Sequence, residues 1–184
     1  MNRIFFFSGP CGCGKTTLSD AYAAHLAEET HRTVYVIHGD DFQDGFVEPK
    51  SSGNFDADGQ PIDPVRWTDI LAFNWDCILA TADRALRQRV DVVIDYVIED
   101  ELPRVQALAK SYGAALYYIV LTASEAELIR RIRQRGDTTL LERALFLKNK
   151  LENMPENKGH IYDNTDKTPE ESVAETELEK YLIG

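Results

Sequence analysis

The segment Gly9-Pro10-Cys11-Gly12-Cys13-Gly14-Lys15-Thr16-Thr17 is the most informative part of this 184-residue sequence. It spells G-x-x-x-x-G-K-T, follows the apolar run Ile4-Phe5-Phe6-Phe7, and precedes apolar residues spaced as one helix face from Leu18 to Leu26. A glycine-rich turn between a strand and a helix is the context in which this spelling forms a phosphate-binding loop. Its glycines let backbone N–H groups point inward at a polyphosphate, and the helix N-terminus adds unpaired donors. We therefore predict that the segment binds a nucleoside triphosphate.

Two side chains of this loop have specific predicted roles. Lys15 is expected to reach the β- and γ-phosphates, and the Thr16 hydroxyl is expected to ligate Mg²⁺. The other residues from Gly9 to Thr17 are expected to hold the phosphates through the loop backbone. The chain has three cysteines, an odd number that indicates no disulfide framework, and the two in the loop are interpreted as small loop residues. The predicted ligands are ATP and Mg²⁺.

The composition is that of one globular domain comprising residues 1–184. Hydrophobic residues make up 43% and charged residues 28% of the sequence, which is typical of a folded chain. The formal net charge of −11 disfavours nucleic acid or an anionic membrane surface as a partner, since both require a basic face. No apolar run approaches the ~18 residues of a membrane span. We expect a cytoplasmic protein that is a monomer or a homodimer.

Strand-like and helix-like segments alternate along the chain, which predicts an α/β protein whose parallel sheet is covered by helices on both faces. After the first strand, the predicted strands are 34–37, 91–97, 116–121 and 161–164. The predicted helices are 15–29, one that begins at the N-cap Asp63-Pro64, 103–112, 125–135, 139–152 and one that follows the N-cap Thr168. Trp67 and Trp75 are both expected to lie in the core.

Acidic residues lie near or just beyond the carboxyl ends of two of the predicted strands, at the edge of a parallel sheet where ligands bind. Asp95 comes directly after the apolar run Val92-Val93-Ile94, as a Walker-B carboxylate does, and would hold Mg²⁺ opposite Thr16. The alternative is an acid that only caps the strand end. Asp40 is the candidate general base, which would accept the proton of an attacking hydroxyl group. Asp41 and Asp44 compete for this role, and the alternative is a turn in which Asp bonds its own backbone.

Two further regions are expected to complete the site. Residues 43–62 are rich in Gly, Pro, Asp and Ser and lack a helical period. Such long loops are usually functional or mobile, and we expect this one to shape the pocket of a phosphate acceptor. Arg131 and Arg135 are four residues apart and therefore share a helix face. We predict that they are catalytic cations in a lid of residues 130–152, closing over the transferred phosphoryl group. The alternative is a solvated helix whose arginines pair with acids.

Together these motifs resemble the small P-loop kinases of metabolites and antibiotics, in particular the chloramphenicol phosphotransferase-like and gluconate kinase-like proteins. The resemblance rests on Gly9–Thr16, Asp40 at the position of the base, Phe55-Asp56-Ala57-Asp58-Gly59, Val93-Ile94-Asp95 and the run from Arg131 to Asp137. It implies a three-layer P-loop fold with a five-stranded parallel sheet of strand order 2-3-1-4-5. The chain differs from the phosphotransferase in having Asp41 after the base position and in most of residues 43–62.

The sequence therefore predicts an ATP- and Mg²⁺-dependent kinase that phosphorylates a hydroxyl group of a small molecule, such as a metabolite, a sugar acid or an antibiotic. Three alternatives stay open: a nucleoside or nucleotide kinase, a nucleotide-binding regulatory module with little turnover, and an NTP hydrolase. A nucleoside or nucleotide kinase would need an acceptor pocket that recognises a base. A regulatory module would change shape on binding ATP without transferring phosphate, and an NTP hydrolase would release phosphate without stimulation by any acceptor.

Overall fold

The first strand, β1 (Arg3–Ser8), is apolar on both of its faces, and this explains its place in the middle of the sheet. Its residues Ile4, Phe5, Phe6 and Phe7 are completely buried in the computed structural model of the chain, which describes residues 2–47, 65–176 and 178–183. A strand that is apolar throughout has to be covered by helices on both sides.

Strands and helices alternate along the chain. The other strands are β2 (Val34–His38), β3 (Asp91–Asp95), β4 (Ala115–Thr122), β5 (Ile161–Asp163) and β6 (Leu182–Ile183). The helices are α1 (Lys15–Thr30), α2 (Asp41–Asp44), α3 (Trp67–Arg87), α4 (Leu102–Tyr112), α5 (Glu125–Arg135), α6 (Leu141–Asn153) and α7 (Pro169–Glu175). Short 3-10 turns cover Thr138–Leu140, Pro155–Asn157 and Leu178–Tyr181. Within the described ranges no helix is both long and apolar enough to cross a membrane.

The sheet has the strand order β2-β3-β1-β4-β5 with these five strands parallel, which confirms the predicted topology. In the register of the sheet, Asp95 at the end of β3 is level with Phe7 of β1 on one side and His38 of β2 on the other. The carboxyl ends of these three strands therefore meet at one edge. Strand β6 was not predicted; it pairs antiparallel with β4 at Leu116 and Tyr117.

Two apolar clusters fill the space between the sheet and its two helical layers. On one face, Phe6 packs with residues of α3, α4 and α6, among them Trp75 and Leu147. On the other face, Phe5 and Phe7 pack with residues of α1 and α5, such as Leu26 and Leu128. The alternation of side chains along β1 thus supplies both clusters and produces the three-layer fold.

The structure corrects the predicted helix boundaries at three places. Gln43 and Asp44 belong to α2 and not to a loop, whereas residues 48–62 lie outside the described residues. Helix α3 begins at Trp67, after the extended Arg66, and not at Pro64; Asp63 and Pro64 are also outside the described residues. The helix predicted at 139–152 starts as a 3-10 turn and becomes α-helical at Leu141.

The two tryptophans have different environments. Trp75 is buried as expected, with 2% of its surface exposed. Trp67 is 57% exposed, so the prediction that it belongs to the core is wrong. The reason is its place in the first turn of α3, where residues 65–69 are all exposed and the helix has not yet reached the buried cluster.

Candidate active site

The predicted phosphate-binding loop connects β1 to α1. Gly9, Gly12 and Gly14 have φ angles of 144°, 79° and 90°, a region that favours glycine. Gly9 is also confined sterically, because a Cβ atom there would lie 2.5 Å from the carbonyl oxygen of Leu121. The Cys13 side chain is fully buried, and burial raises the pKa of its thiol. Cys13 is therefore a neutral packing residue, in agreement with the interpretation of the loop cysteines as small residues.

The N-terminus of α1 presents unused hydrogen-bond donors at this loop. Its N-cap is Gly14, which has no side chain to accept from the first turn, and the first helical bond runs from Leu18 N–H to the Gly14 carbonyl over 2.9 Å. The N–H groups that precede Leu18 in the first turn therefore have no acceptor inside the helix. Lys15 Nζ donates to the Pro10 carbonyl at 3.2 Å, so its ammonium group folds back over the loop. The Lys15 ammonium group, the free N–H groups and the N-terminus of α1 together form a site that suits a polyphosphate.

Asp95 ends β3 directly beside the first turns of α1. The Thr16 hydroxyl donates to Asp95 Oδ1 at 3.0 Å, and the Ser19 hydroxyl donates to Asp95 Oδ2 at 2.8 Å. The structure thus brings together the two residues predicted as Mg²⁺ ligands. Ser19 was not singled out from the sequence, although its position one helical turn after Thr16 places the two hydroxyls on the same face of α1.

His38, the last residue of β2, is the third neighbour of Asp95. Its Nδ1 lies 2.5 Å from Asp95 Oδ2, and its Nε2 lies 3.3 Å from Asp20 Oδ1. Burial opposes the charged imidazolium, but the hydrogen bond and the charge of Asp95, together with Asp20 and Asp41, outweigh it and raise the pKa of His38. The imidazole therefore helps to fix the orientation of the Asp95 carboxylate through Oδ2, the oxygen that Thr16 does not contact.

Asp40, the predicted general base, follows the carboxyl end of β2 by two residues. It opens onto a cleft that is also lined by Lys15, Thr16 and Arg135. Burial by the surrounding protein raises the pKa of the Asp40 carboxyl; nearby Lys15 opposes this shift, and the charges of Asp95 and of the two acids of α2 add to it. A carboxylate with a raised pKa is a better proton acceptor than an ordinary one.

The two predicted lid arginines have different surroundings. Arg135 lies in the cleft that also contains Asp40 and Lys15, with its Nε 3.4 Å from Asp137 Oδ2. Arg131 reaches the outer side of the phosphate-binding loop, where its Nη1 donates to the Cys13 carbonyl at 3.3 Å. Although one helical turn separates them, they do not face the same cavity. The catalytic role of each arginine stays a prediction.

Asn164 is a residue of this region that the sequence analysis did not identify. It follows β5 directly, and its Nδ2 donates to the Cys13 carbonyl at 2.7 Å. Its own side-chain and backbone oxygens each accept from Arg131 at 3.1 Å. The rule that indicated Asp40 and Asp95, a polar residue near or just beyond the carboxyl end of a parallel strand, also applies to Asn164.

A cavity of about 530 Å³ lies on the outer side of the loop, next to the N-terminus of α1. Gly14, Thr17, Arg131 and Asn164 belong to its wall, and so does the segment 166–169. Its volume is in the range of small-molecule pockets, roughly 300–1,000 Å³. The cavity therefore extends the phosphate site on the side away from Asp40.

A polar cluster lies where α2 and α3 meet the end of β3. Asn74 Nδ2 donates to Gln43 Oε1 at 3.1 Å and to the Tyr96 hydroxyl at 2.9 Å. Asn74 is completely buried, and its Oδ1 has no partner among the described residues. Burial raises the pKa of Tyr96, and the charge of Asp40 adds to this shift because Asp40 is nearby. The polar cluster is therefore next to the predicted base.

A family model, AAA_18, described as an AAA domain, matches residues 6–154. The chain belongs to this AAA domain family. The match includes the loop of residues 9–17, Asp40, Asp95 and both predicted lid arginines, whereas Asn164 lies beyond it. No curated protein matches the sequence of this AAA domain protein.

Solved structures share the fold of this AAA domain at low sequence identity. The APS kinase CysC of Mycobacterium tuberculosis, in complex with AMPPNP and APS, is 14% identical with a TM-score of 0.66, over 95% of this chain and 94% of that chain. A gluconokinase from Sinorhizobium meliloti 1021 is 20% identical with a TM-score of 0.57, over 98% and 91%. The tunicamycin resistance protein of Deinococcus radiodurans is 18% identical with a TM-score of 0.57, over 100% and 99%. These similarities establish the P-loop NTPase-like, three-layer α/β fold.

Proposed function

We propose that this protein is a kinase that transfers the γ-phosphoryl group of ATP to a hydroxyl group of a small molecule. The observation that carries the proposal is the position of Asp40. A carboxylate with a raised pKa shares one cleft with Lys15, Thr16 and Arg135, at the mouth of a phosphate-binding loop. Binding of a nucleotide alone would not require a proton acceptor at this point, whereas transfer to an alcohol does.

The residues at the edge of the sheet fit a magnesium ion. The Thr16 hydroxyl oxygen and Asp95 Oδ1 lie 3.0 Å apart, and both are oxygen atoms that can ligate a metal ion. Mg²⁺ is usually bound by one or two such protein groups together with the phosphates of the substrate. Thr16 and Asp95 would hold the ion, with Ser19 and His38 orienting the carboxylate. A bound Mg²⁺ would neutralise charge on the β- and γ-phosphates.

The remaining residues then have defined parts in the transfer. Lys15 and the backbone N–H groups of residues 9–17 other than Pro10 bind the phosphates, and the cavity beyond Gly14 accommodates the nucleoside. The acceptor oxygen forms a bond to the γ-phosphorus while the bond from phosphorus to the bridging oxygen of ADP breaks. Asp40 accepts the proton of the acceptor hydroxyl, and Arg135 compensates charge on the transferred group.

The comparisons support this proposal without specifying the acceptor. The structural neighbours named as kinases, an APS kinase and a gluconokinase, have the same arrangement of strands and helices over nearly the whole chain. We propose that the acceptor is a small molecule bound between Asp40 and the polar cluster of Gln43, Asn74 and Tyr96. We do not expect nucleic acid or a membrane to be a partner, in view of the net charge of −11.

The test is a transfer assay with γ-labelled ATP, Mg²⁺ and a panel of sugars, sugar acids, nucleosides and antibiotics. We expect at least one labelled product with the wild-type chain and none with Lys15→Ala, while Lys110→Ala, an exposed lysine of α4, behaves like the wild type. ATP binding without a labelled product in the whole panel would favour the regulatory module. Phosphate release that no acceptor stimulates would instead identify an NTP hydrolase.

A further inference from the structure

The carbonyl oxygen of Cys13 in the phosphate-binding loop receives two side-chain hydrogen bonds from outside the loop. Asn164 Nδ2 donates over 2.7 Å, and Arg131 Nη1 donates over 3.3 Å. Neither residue is close to Cys13 in the sequence, since 151 and 118 positions separate them from it. Asn164 is 6% exposed, so its bond is shielded from competing water.

The two donors are themselves held in place. Arg131 Nη1 and Nη2 donate to the side-chain and backbone oxygens of Asn164 at 3.1 Å each, and Arg131 Nε donates to Glu127 at 2.6 Å. Both side chains also lie against Gly14, where a Cβ atom would be 3.7 Å from Asn164 Nδ2 and 3.9 Å from Arg131 Nη1. The pair therefore forms a fixed support on the outer side of the loop.

The geometry of the peptide bond connects this support to the phosphate site. In a trans peptide the C=O and N–H groups point in opposite directions. Holding the Cys13 carbonyl outward therefore directs the Gly14 N–H to the other side of the loop, where Gly14 also lines the cleft of Lys15 and Asp40. Gly14 has a φ of 90° and no side chain, so without the two donors this peptide would rotate more easily.

We propose that Asn164 and Arg131 are positioning residues that hold the Cys13–Gly14 peptide in its phosphate-binding orientation. This role rests on the proposed function in one respect, that the loop binds a polyphosphate. It assigns Arg131 to the outer wall of the loop and leaves Arg135 as the arginine of the cleft that Lys15 and Asp40 line. Because both positioning residues also line the 530 Å³ cavity, they connect the nucleoside side of the site to the phosphate side.

The experiment measures binding of two ligands to the full-length chain by isothermal titration calorimetry. Inorganic tripolyphosphate with Mg²⁺ reports on the loop alone, whereas MgATP reports on the loop and the cavity together. Asn164→Leu removes the donor without changing the charge, and Arg131→Gln removes the second donor. Arg133→Gln is the charge-matched control for Arg131→Gln, because Arg133 is an exposed arginine of the same helix.

We expect Asn164→Leu and Arg131→Gln to weaken tripolyphosphate and MgATP by the same factor, on the order of tenfold, the effect of one lost buried hydrogen bond. Arg133→Gln is expected to change neither. Weaker MgATP binding with unchanged tripolyphosphate binding would overturn the proposal, because the pair would then contact only the nucleoside. Unchanged binding of both ligands would overturn it as well. If Asn164→Leu does not fold, as judged by circular dichroism, Arg131→Gln alone decides.

The outcome is separate from that of the transfer assay. A wild-type chain that binds both ligands and shows the expected losses, but transfers phosphate to no acceptor, would support the positioning role and contradict the kinase. A wild-type chain that is an active kinase, with full tripolyphosphate binding in both variants, would contradict the positioning role and leave the kinase in place.

Discussion

At the scale of single residues, Asp95 is held by several side chains that are distant from it in the sequence. Its two oxygens are in contact with Thr16, Ser19 and His38, which come from α1 and β2. The sequence pattern of β3 identified an acid at a strand end. Together with the loop motif it placed Thr16 opposite this acid, but it did not reveal the contacts of Ser19 and His38, because these depend on the packing of α1 and on the pairing of β2 with β3.

Asp40→Asn is expected to lower the turnover number by on the order of 10²–10⁴, as the loss of a general base does. In the wild type, the rate should fall as the pH falls through the raised pKa of Asp40, because the protonated carboxyl cannot accept a proton. This limb of the pH profile should be absent in the variant. Steady-state kinetics across pH would test both points, and near-normal turnover by Asp40→Asn would transfer the role of base to Asp41 or to no residue.

The same substitution provides a control for folding. Because the pKa of Asp40 is higher in the folded than in the unfolded chain, the folded state binds more protons in the window above the ordinary value of 3.8, and the free energy of unfolding falls as the pH rises through it. Asp40→Asn should therefore be at least as stable as the wild type at pH 7 in urea unfolding, with the difference vanishing below that window. A less stable variant would show that the rate loss reflects damage to the fold.

Gly9 and Gly113 form a matched pair for a stability measurement. Both have positive φ, 144° and 56°, but a Cβ at Gly9 would meet the Leu121 carbonyl oxygen at 2.5 Å, whereas a Cβ at Gly113 would meet no described residue within 4 Å. Gly113→Ala should cost about 1–2 kcal/mol of unfolding free energy, the strain of a left-handed residue. Gly9→Ala should cost more, because the backbone of β4 would have to move. Equal losses in urea unfolding would contradict the close approach.

At the scale of secondary-structure elements, helix α5 contributes lining residues to two separate cavities. Arg131 donates to the loop from outside, and Arg135, in the last turn before Gly136 ends the helix, lines the cleft that also contains Lys15 and Asp40. The following helix, α6, is attached elsewhere: Arg143 and Lys150 both pair with Glu99 in the segment after β3. Within the predicted lid of residues 130–152, the part next to the cleft is therefore the end of α5 and the turn that follows it.

Arg135→Gln tests this assignment against Arg133→Gln in the same helix turn. We expect Arg135→Gln to lower the turnover number by on the order of 10²-fold with a smaller change in the KM for ATP, because a charge aimed at the transferred group acts mainly in the transition state. Arg133→Gln should keep wild-type kinetics. Equal kinetics of the two variants would assign Arg135 to the solvated surface, the alternative considered from the sequence.

At the scale of the whole molecule, the overall charge and the proposed ligand have the same sign. The formal net charge is −11, so long-range attraction does not bring a polyphosphate to this protein. Affinity has to come from the local donors of residues 9–17, the N-terminus of α1, Lys15 and a bound Mg²⁺. The site is therefore a small region of favourable potential on an acidic protein.

Binding at this site should stabilise the entire fold. A ligand present at 100 times its Kd adds about 2.7 kcal/mol to the free energy of unfolding, which for a chain of this length corresponds to a rise in Tm of roughly 5–10 °C. Differential scanning fluorimetry with MgATP should show this rise for the wild type and not for Lys15→Ala. A true acceptor should add a further rise when a non-hydrolysable ATP analogue is present, and an unchanged Tm with MgATP would contradict nucleotide binding.

Local sequence determined the class of fold and the position of the phosphate site. The loop is contiguous, its flanks have the periods of a strand and a helix, and apolar strands buried on both faces imply three layers. The sheet order 2-3-1-4-5, inferred through the family resemblance, is confirmed. The class of fold and the position of the loop depend on residues that are close in sequence or on a pattern repeated along the chain, whereas the strand order joins segments that are distant in sequence, such as β1 and β3.

The tertiary structure alone decided how the site is assembled around that loop. The support of the Cys13 carbonyl by Asn164 spans 151 positions, and the contact of Ser19 with Asp95 spans 76. The different surroundings of Arg131, at the Cys13 carbonyl, and of Arg135, in the cleft of Asp40, could likewise not be predicted from their spacing, which places them on one face of α5. Such contacts arise when parallel strands align their carboxyl ends at one edge, and that alignment depends on packing between segments that no local pattern connects.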